Sequence, residues 1–181
     1  MAKSSTSLAP TDWFETACEI LKTQGHHRVT LRGLCAALGL STGSFYDHFK
    51  HRGDFVERLF DYWAERGREA VKDLIADGPA NLNDINRDVN KLLDHRLEAA
   101  MRAWGLFDDS VADKIMAVDN ARRKFFREYY GDRLDPAIAN EVVNLHLCSL
   151  AGAQFMFLDK PTVLNRFGAF VNRVAESLAK A

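Results

Sequence analysis

The chain predicts an all-α protein of about nine helices, and three observations carry that prediction. Only four prolines occur in 181 residues, so long stretches run without a breaker. No alternating run rich in valine, isoleucine or threonine appears. Apolar residues instead recur at spacings of three and four. An apolar content of 47% is enough for a proper core, and a charged content of 27% is that of an ordinary globular protein. The length fits one domain or two small ones.

The first nine residues are polar and read as a flexible arm, with too little apolar surface to offset ordering. They lack the apolar core of a signal peptide, and no run approaches about 18 apolar residues, so a cytoplasmic location without membrane spans is expected. A first helix opens at Pro10, with Thr11 or Asp12 as its cap. Trp13, Phe14, Ala17, Cys18, Ile20 and Leu21 give it an apolar side, and Gly25 ends it.

Residues 30 to 49 contain two short helices around a glycine. Thr30 caps the first, and Leu31, Leu34, Cys35 and Leu38 share one face. Gly39 marks its end, because a left-handed turn costs glycine little. Ser41 caps the second, whose apolar face is Phe45 and Phe49. Two short helices joined by about three or four residues with a glycine form a helix-turn-helix.

The outward residues point to DNA. The second helix starts with Ser41, Thr42, Gly43 and Ser44, a slim leading end for a major groove about 12 Å wide. Their hydroxyls can meet base edges or phosphates, and the free N–H groups of the helix start suit phosphate. Thr30 and Arg32 on the preceding helix, and Tyr46, His48 and Lys50 after the leading end, complete the predicted contacts. From Lys22 to Arg52 the basic residues Lys22, Arg28, Arg32, Lys50 and Arg52 face a single acid, Asp47. The whole chain has a net charge of −1, so positive charge is concentrated here, as local nucleic-acid contact requires.

This segment resembles the N-terminal domain of the TetR family of bacterial transcriptional regulators. The resemblance rests on Phe14, Ala17, Gly25, Val29-Thr30-Leu31, Leu34-Cys35, the run from Gly39 to Tyr46, and the pair His48-Phe49. Arg52, Asp54 and Phe55 stand where the family usually has a lysine, an acid and a leucine. About the first 60 residues are covered. Cys35 and Leu38 replace small alanines, and Asp47 adds a negative charge to the reading helix.

Beyond it, Asp54 opens a long fourth helix running to about Asp77, with Phe55, Leu59, Tyr62, Trp63, Arg66, Ala70, Val71 and Leu74 at helical spacing. Gly78-Pro79 stops it, and residues 78 to 83 form the clearest loop. Residues 84 to 106 are helical, from Ile85 to Trp104, with a possible break near His95 that no glycine or proline marks. Asp108, Asp109 and Ser110 make a cap cluster, with Asp113 placed to complete a box with Ser110. A seventh helix ends at Gly131, and in it Asp119 and Arg123 are spaced to pair. Asp135-Pro136 starts the eighth, which runs to about Leu158 and includes Phe155 and Phe157. Lys160-Pro161 divides it from the ninth. The predicted domains are therefore a flexible arm (1–9), a helix-turn-helix DNA-binding domain (10–53), and a ligand-binding and dimerisation domain (54–181).

The eighth and ninth helices are apolar on more than one side, which predicts self-association. Ala151, Gly152, Ala153, Gly168 and Ala169 would let helices approach closely. The resemblance implies the same homodimer through these two helices, as a four-helix bundle. Two heads related by a two-fold axis would read a near-palindromic double-stranded operator, with half-site centres about 34 Å or a multiple apart. The resemblance also implies a small-molecule effector that releases a repressor from its operator. Trp63, His95, Met101, Arg102, Trp104, Phe125, Tyr129 and Asn144 are the candidates to line its site. Arg102 has a second reading, an ion-pair network with Glu98 or Asp119.

No cofactor or metal is expected. Cys18, Cys35 and Cys148 show no CxxC spacing and are expected to fill packing positions, and adjacent His26 and His27 have no third ligand nearby. No nucleophile elbow, metal motif or phosphate loop is present, which argues against an enzyme. The alternatives are an α-helical enzyme and an effector-independent DNA-binding protein. Near-neutral net charge argues against a protein that coats DNA indiscriminately.

Overall fold

The computed structural model describes residues 8–76, 82–131, 134–156 and 160–179. Residues 1–7 of the predicted arm, the Gly78-Pro79 stop and the side chains of Leu74, Ile85 and Phe157 lie outside the described residues. Among the described residues there are nine α-helices and no strand. They are α1 (Pro10–Gln24), α2 (Leu31–Leu38), α3 (Thr42–Tyr46), α4 (Arg52–Ala76), α5 (Leu82–Leu92), α6 (His95–Gly105), α7 (Asp109–Tyr130), α8 (Pro136–Met156) and α9 (Pro161–Leu178). A 3-10 turn, His26–Arg28, follows α1. The chain forms two compact units, Met1–Trp63 and Ala64–Ala181, and α4 runs from one into the other.

The first unit is built on aromatic side chains. Trp13, Phe14, Phe45, Phe49 and Phe55 are all buried. Trp13 meets Phe45 edge-on at 5.5 Å and Phe49 at 6.1 Å. Phe14 lies 5.7 Å from Phe55, and Phe49 lies 5.0 Å from Phe55. Centroid separations in this range favour edge-to-face and offset pairs.

Local chemistry sets the ends. Ala9, not Thr11 or Asp12, is the N-cap of α1; Asp12 stands three residues on and its carboxylate accepts from the Ala9 N–H at 2.7 Å. Pro10 at the first helical position fixes that offset. Gly25 (φ 83°) and Gly39 (φ 67°) end α1 and α2 in backbone conformations that side chains resist. The fourth helix begins at Arg52, one half-turn before Asp54, because His51 Nδ1 already accepts from the Asp54 N–H at 3.1 Å.

In the second unit, the break near His95 falls at Leu93-Asp94. Asp94 caps α6 by accepting from the Leu97 N–H at 3.0 Å, so an aspartate supplies the stop that no glycine or proline marks. At α7 the cap is Asp108, which accepts from the Ser110 and Val111 N–H groups. Ser110 therefore lies inside α7 rather than at its cap, and both its N–H and its hydroxyl donate to Asp108, the hydroxyl at 2.7 Å, while Asp113 is exposed. Asp135 caps α8 through the Ala137 N–H at 2.9 Å. Within the subunit a Cβ at Gly152 would meet nothing within 4 Å, whereas Ala153 is buried. Cys18 and Cys35 are buried as packing residues, but Cys148 is exposed.

A core of Phe126, Tyr130, Leu134, Ala139, Val142, Val143, Leu147, Val171 and Ala175 joins α7, α8 and α9. Burial pushes the Tyr130 hydroxyl up to about 12, with Tyr129 and Glu176 adding to the rise. It donates to Asn172 Oδ1 at 3.3 Å. His146 is buried in the same region, its ring 4.2 Å from that of Phe126. Desolvation lowers the imidazole from 6.5 to about 4.

Two outcomes follow from this packing. Gly39→Ala should cost about 1 kcal/mol in urea unfolding, all of it backbone strain because the surrounding space is open; a cost near zero would contradict the left-handed turn. His146 has a folded value below its unfolded one, so its contribution is complete above about pH 6.5 and is lost as pH falls toward about 4. Between pH 7 and pH 5 the unfolding free energy should therefore drop by about 2 kcal/mol more in the native protein than in His146→Gln; parallel pH profiles would contradict it.

Candidate nucleic-acid interface

The second helix of the helix-turn-helix, α3, has only five residues, too few to be stable alone. Phe45 anchors it from within, packed on Trp13, Phe49 and Phe55. With that face buried, Thr42, Gly43 and Tyr46 are exposed, Tyr46 at 58%. Ser41 is the N-cap, its hydroxyl 3.4 Å from the Ser44 N–H and 3.3 Å from the Ser44 hydroxyl. The hydroxyl cluster is thus a cap as well as an outward polar edge, exposed at Ser41 and half-buried at Ser44. Thr30 likewise caps α2, accepting from the Gly33 N–H at 3.0 Å. Gly33 is required there, since a Cβ would stand 2.5 Å from the Arg28 carbonyl oxygen. Arg32 follows, exposed on the first turn of α2.

After α3 the chain turns at Asp47 through Lys50. His48 is half-buried, its ring 6.4 Å from Trp13, and Lys50 is exposed. The Lys50 N–H donates to Asp54 at 3.0 Å. The first unit therefore holds Thr30, Arg32, Ser41, Thr42, Gly43, Ser44, Tyr46, His48 and Lys50, and seven of the nine are exposed. Cys35, behind this surface, donates to the Ser41 carbonyl at 3.5 Å, and burial pushes its thiol up. One residue that the sequence does not single out also acts here: Arg58 of α4 donates to the His48 carbonyl at 2.8 Å.

The residues expected around an effector fall into distinct settings. Trp63 is buried in the first unit, edge-on to Phe60 at 5.9 Å. In the second unit Met101 and Trp104 are buried on α6. Phe125 and Tyr129 are half-buried against the α7–α8–α9 core, and Asn144 is exposed. Arg102 makes a two-pronged bond to Asp119, at 2.7 and 2.8 Å. Arg122 donates to buried Glu98 at 2.8 Å and lies 3.7 Å from Asp119. The Asp119–Arg123 pair expected from spacing is not formed; Arg123 donates to Asn120 instead. A desolvated carboxylate takes the fork of Arg102, which matches its geometry. Burial alone would raise Asp119, but the bonds and charge of Arg102, with Arg122 and Arg123, hold it below the usual carboxylate range. Burial likewise opposes the charge on Arg102, and Asp119 and Glu98 more than restore it.

A second polar chain was not legible in the sequence. His95 Nε2 is 2.8 Å from the Asn90 carbonyl, which can only accept, so the ring proton sits there. Its Nδ1 then accepts from the Gln154 amide at 3.3 Å. The Asn90 side chain donates to Asn165 of α9 at 2.9 Å. Gln154 is fully buried, and its carbonyl oxygen has no hydrogen-bond partner. Among the described residues no group of three or more His, Cys, Asp or Glu could hold a metal ion. Nor is any helix among them long and apolar enough to cross a membrane.

Residues 14–59 match the model of the bacterial regulatory proteins of the tetR family. No curated protein matches the chain. Among solved structures it is similar to a TetR-family transcriptional regulator from Streptomyces coelicolor, with a TM-score of 0.75 and 17% identity over 98% of this chain and 92% of that one. A TetR transcription regulator from Haloarcula marismortui gives 0.69 and 19% over 93% and 98%. A transcriptional regulator from Rhodococcus sp. Rha1 gives 0.75 and 11% over 96% and 97%. The family match covers the helix-turn-helix and its flanks, and the chain as a whole shares the fold of these solved structures.

Proposed function

We propose that the protein is a homodimeric repressor that grips a near-palindromic operator through α3 and its flanks, and that a small molecule held in the second unit releases it. The observation that carries the DNA part is the exposed edge of α3. Phe45 and Phe49 are buried while Thr42, Gly43 and Tyr46 face out, with Arg32 and Lys50 exposed beside them. In this reading Ser41, Thr42, Gly43, Ser44 and Tyr46 approach base edges, and Thr30, Arg32, His48 and Lys50 hold phosphates.

Dimerisation is supported by apolar side chains on the last two helices. Leu145, Phe155, Met156, Phe167 and Phe170 are each more than a third exposed, Met156 at 74%. Such a surface suits burial against a second copy. The effector reading is supported by the unpartnered oxygen of buried Gln154, whose amide donates to His95, in a unit where Met101 and Trp104 are also buried. A buried acceptor without a donor is uncommon and offers a ligand a hydrogen bond. His95, bonded to that amide, is the first candidate for its polar contacts, with Arg102, Phe125, Tyr129 and Asn144 as the remaining candidates of the second unit; Trp63 lies in the first.

The test is a titration of duplex DNA from the gene's own upstream region, with unrelated duplex as control, at two salt concentrations. A dimer should bind one near-palindrome tightly. Tyr46→Ala should weaken that site by about 1–3 kcal/mol. Lys50→Ala should weaken binding to every duplex and make the salt slope shallower by about 1, as removal of one phosphate-binding charge requires. Equal, weak binding to both duplexes would contradict sequence-specific reading. A small molecule that binds the second unit yet leaves operator affinity unchanged would remove the release step.

A further inference from the structure

Segment 48–50 leaves α3 carrying two of the proposed phosphate donors; its His48 and Phe49 N–H groups bond back to the Phe45 carbonyl, and two side-chain ties to its backbone come from α4. Arg58 Nη1 donates to the His48 carbonyl at 2.8 Å, and Asp54 accepts from the Lys50 N–H at 3.0 Å. The His48 carbonyl lies past the end of α3, so no N–H of that helix can supply its partner. The guanidinium plane also lies over Phe49, with Cζ 4.9 Å from the ring centroid, and is 5.9 Å from Phe14. Phe49 and Phe14 are core residues, so the aromatic faces fix the plane while its edge reaches the carbonyl. An ordinary i, i+4 ion pair does not account for this placement. Arg58 stands 3.9 Å from Asp54, far longer than its bond to the carbonyl. A partly exposed pair at that distance holds a side chain weakly.

We propose that Arg58 is a positioning residue for DNA reading, a tie that fixes the end of α3 and its two flanking donors to α4. Its role is to set where the His48 and Lys50 side chains meet the DNA backbone, which in turn sets how α3 enters the groove. This rests on α3 being the DNA-reading helix. Arginine suits the task because it stacks flat and donates from its edge at the same time, which lysine cannot do. Because Asp54, Phe55 and Arg58 all belong to α4, a turn or tilt of that helix reaches the end of the reading helix through the Lys50 N–H, the Phe45 and Phe49 rings and the His48 carbonyl.

Arg58→Met keeps the stem and removes the donor; Arg58→Lys keeps a donor and the charge but not the plane. Each variant is compared with the native protein for affinity to a duplex selected from a random pool, affinity to unselected duplex, and deuterium uptake in peptides 10–24 and 42–50. Arg58→Met should weaken the selected duplex by about tenfold and unselected duplex by less than about threefold. Uptake should rise in 42–50 and stay the same in 10–24. Arg58→Lys should fall between the two proteins on both readouts, and it decides the matter by the same readouts if Arg58→Met does not fold. A purely stabilising arginine would lower both affinities by one factor and raise uptake in both peptides; that result, or unchanged uptake in 42–50, would overturn the proposal. A native protein that selects no duplex would overturn the DNA-reading assignment, while the exchange comparison still judges the tie by itself.

Discussion

The first unit depends on burying Phe45 and Phe49. A five-residue helix has one turn of hydrogen bonds and no cooperative length, so nothing in α3 itself holds it folded. Trp13 and Phe14 from α1 and Phe55 from α4 supply the apolar surroundings, with ring centroids 5.0–6.1 Å from Phe45 or Phe49. Two positions of α3's own segment are thereby spent on packing, and the residues between and before them are left outward. Exposure of Thr42, Gly43 and Tyr46 follows from that burial. The caps at Thr30 and Ser41 and the glycine turn at Gly39 then decide the angle between the two short helices.

The second unit is held differently. Its α7–α8–α9 core is apolar, but α6 meets its neighbours through charge and amide groups as well. Asp119 between Arg102 and Arg122, and Glu98 under Arg122, remove four charges from most of their water. Such an arrangement adds little net stability compared with apolar packing, because desolvation offsets attraction. It does penalise any shift that separates one partner, since the remaining charge is left buried. The relation of α6 to α7 is therefore specified more sharply than apolar contacts alone would specify it.

Much of this was legible in the sequence because it depends on neighbours in the chain. The cap residues Thr30, Ser41 and Asp135, the stops at Gly25 and Gly39, and the apolar stripe of α1 are all local patterns. The helix-turn-helix was readable for the same reason. What was not legible depends on distant partners. Asp119 has Arg123 four residues away, yet it takes Arg102, seventeen residues away, because the fold buries that pair and leaves Arg123 to Asn120. Arg58 looks like a helix-surface charge until the His48 carbonyl is placed beside it. Gln154 and His146 stand in apolar runs where spacing alone marks them as helix positions and says nothing of their partners. The start of α6 is hard to see because Asp94, a cap by type, sits within a longer run of helical spacing.

The amide and imidazole chain of the second unit has a polarity. Gln154 gives a hydrogen to His95, His95 gives one to Asn90, and Asn90 gives one to Asn165. Every donor thus points away from α8 and toward α9, through α6 and α5. The first two links share the His95 ring and so reinforce one another, while the third leaves from the Asn90 side chain rather than from the carbonyl that accepts the second. The open end of the series is the Gln154 oxygen, and its far end is a side chain on α9. Electron density withdrawn from that oxygen sharpens the amide as a donor to His95, and through the ring the bond from His95 to the Asn90 carbonyl tightens with it. Reversing one member, by flipping an amide or moving the ring proton, sets two donors or two acceptors face to face. The chain therefore has one low-energy orientation, and the four helices that contribute to it share that orientation rather than merely touching.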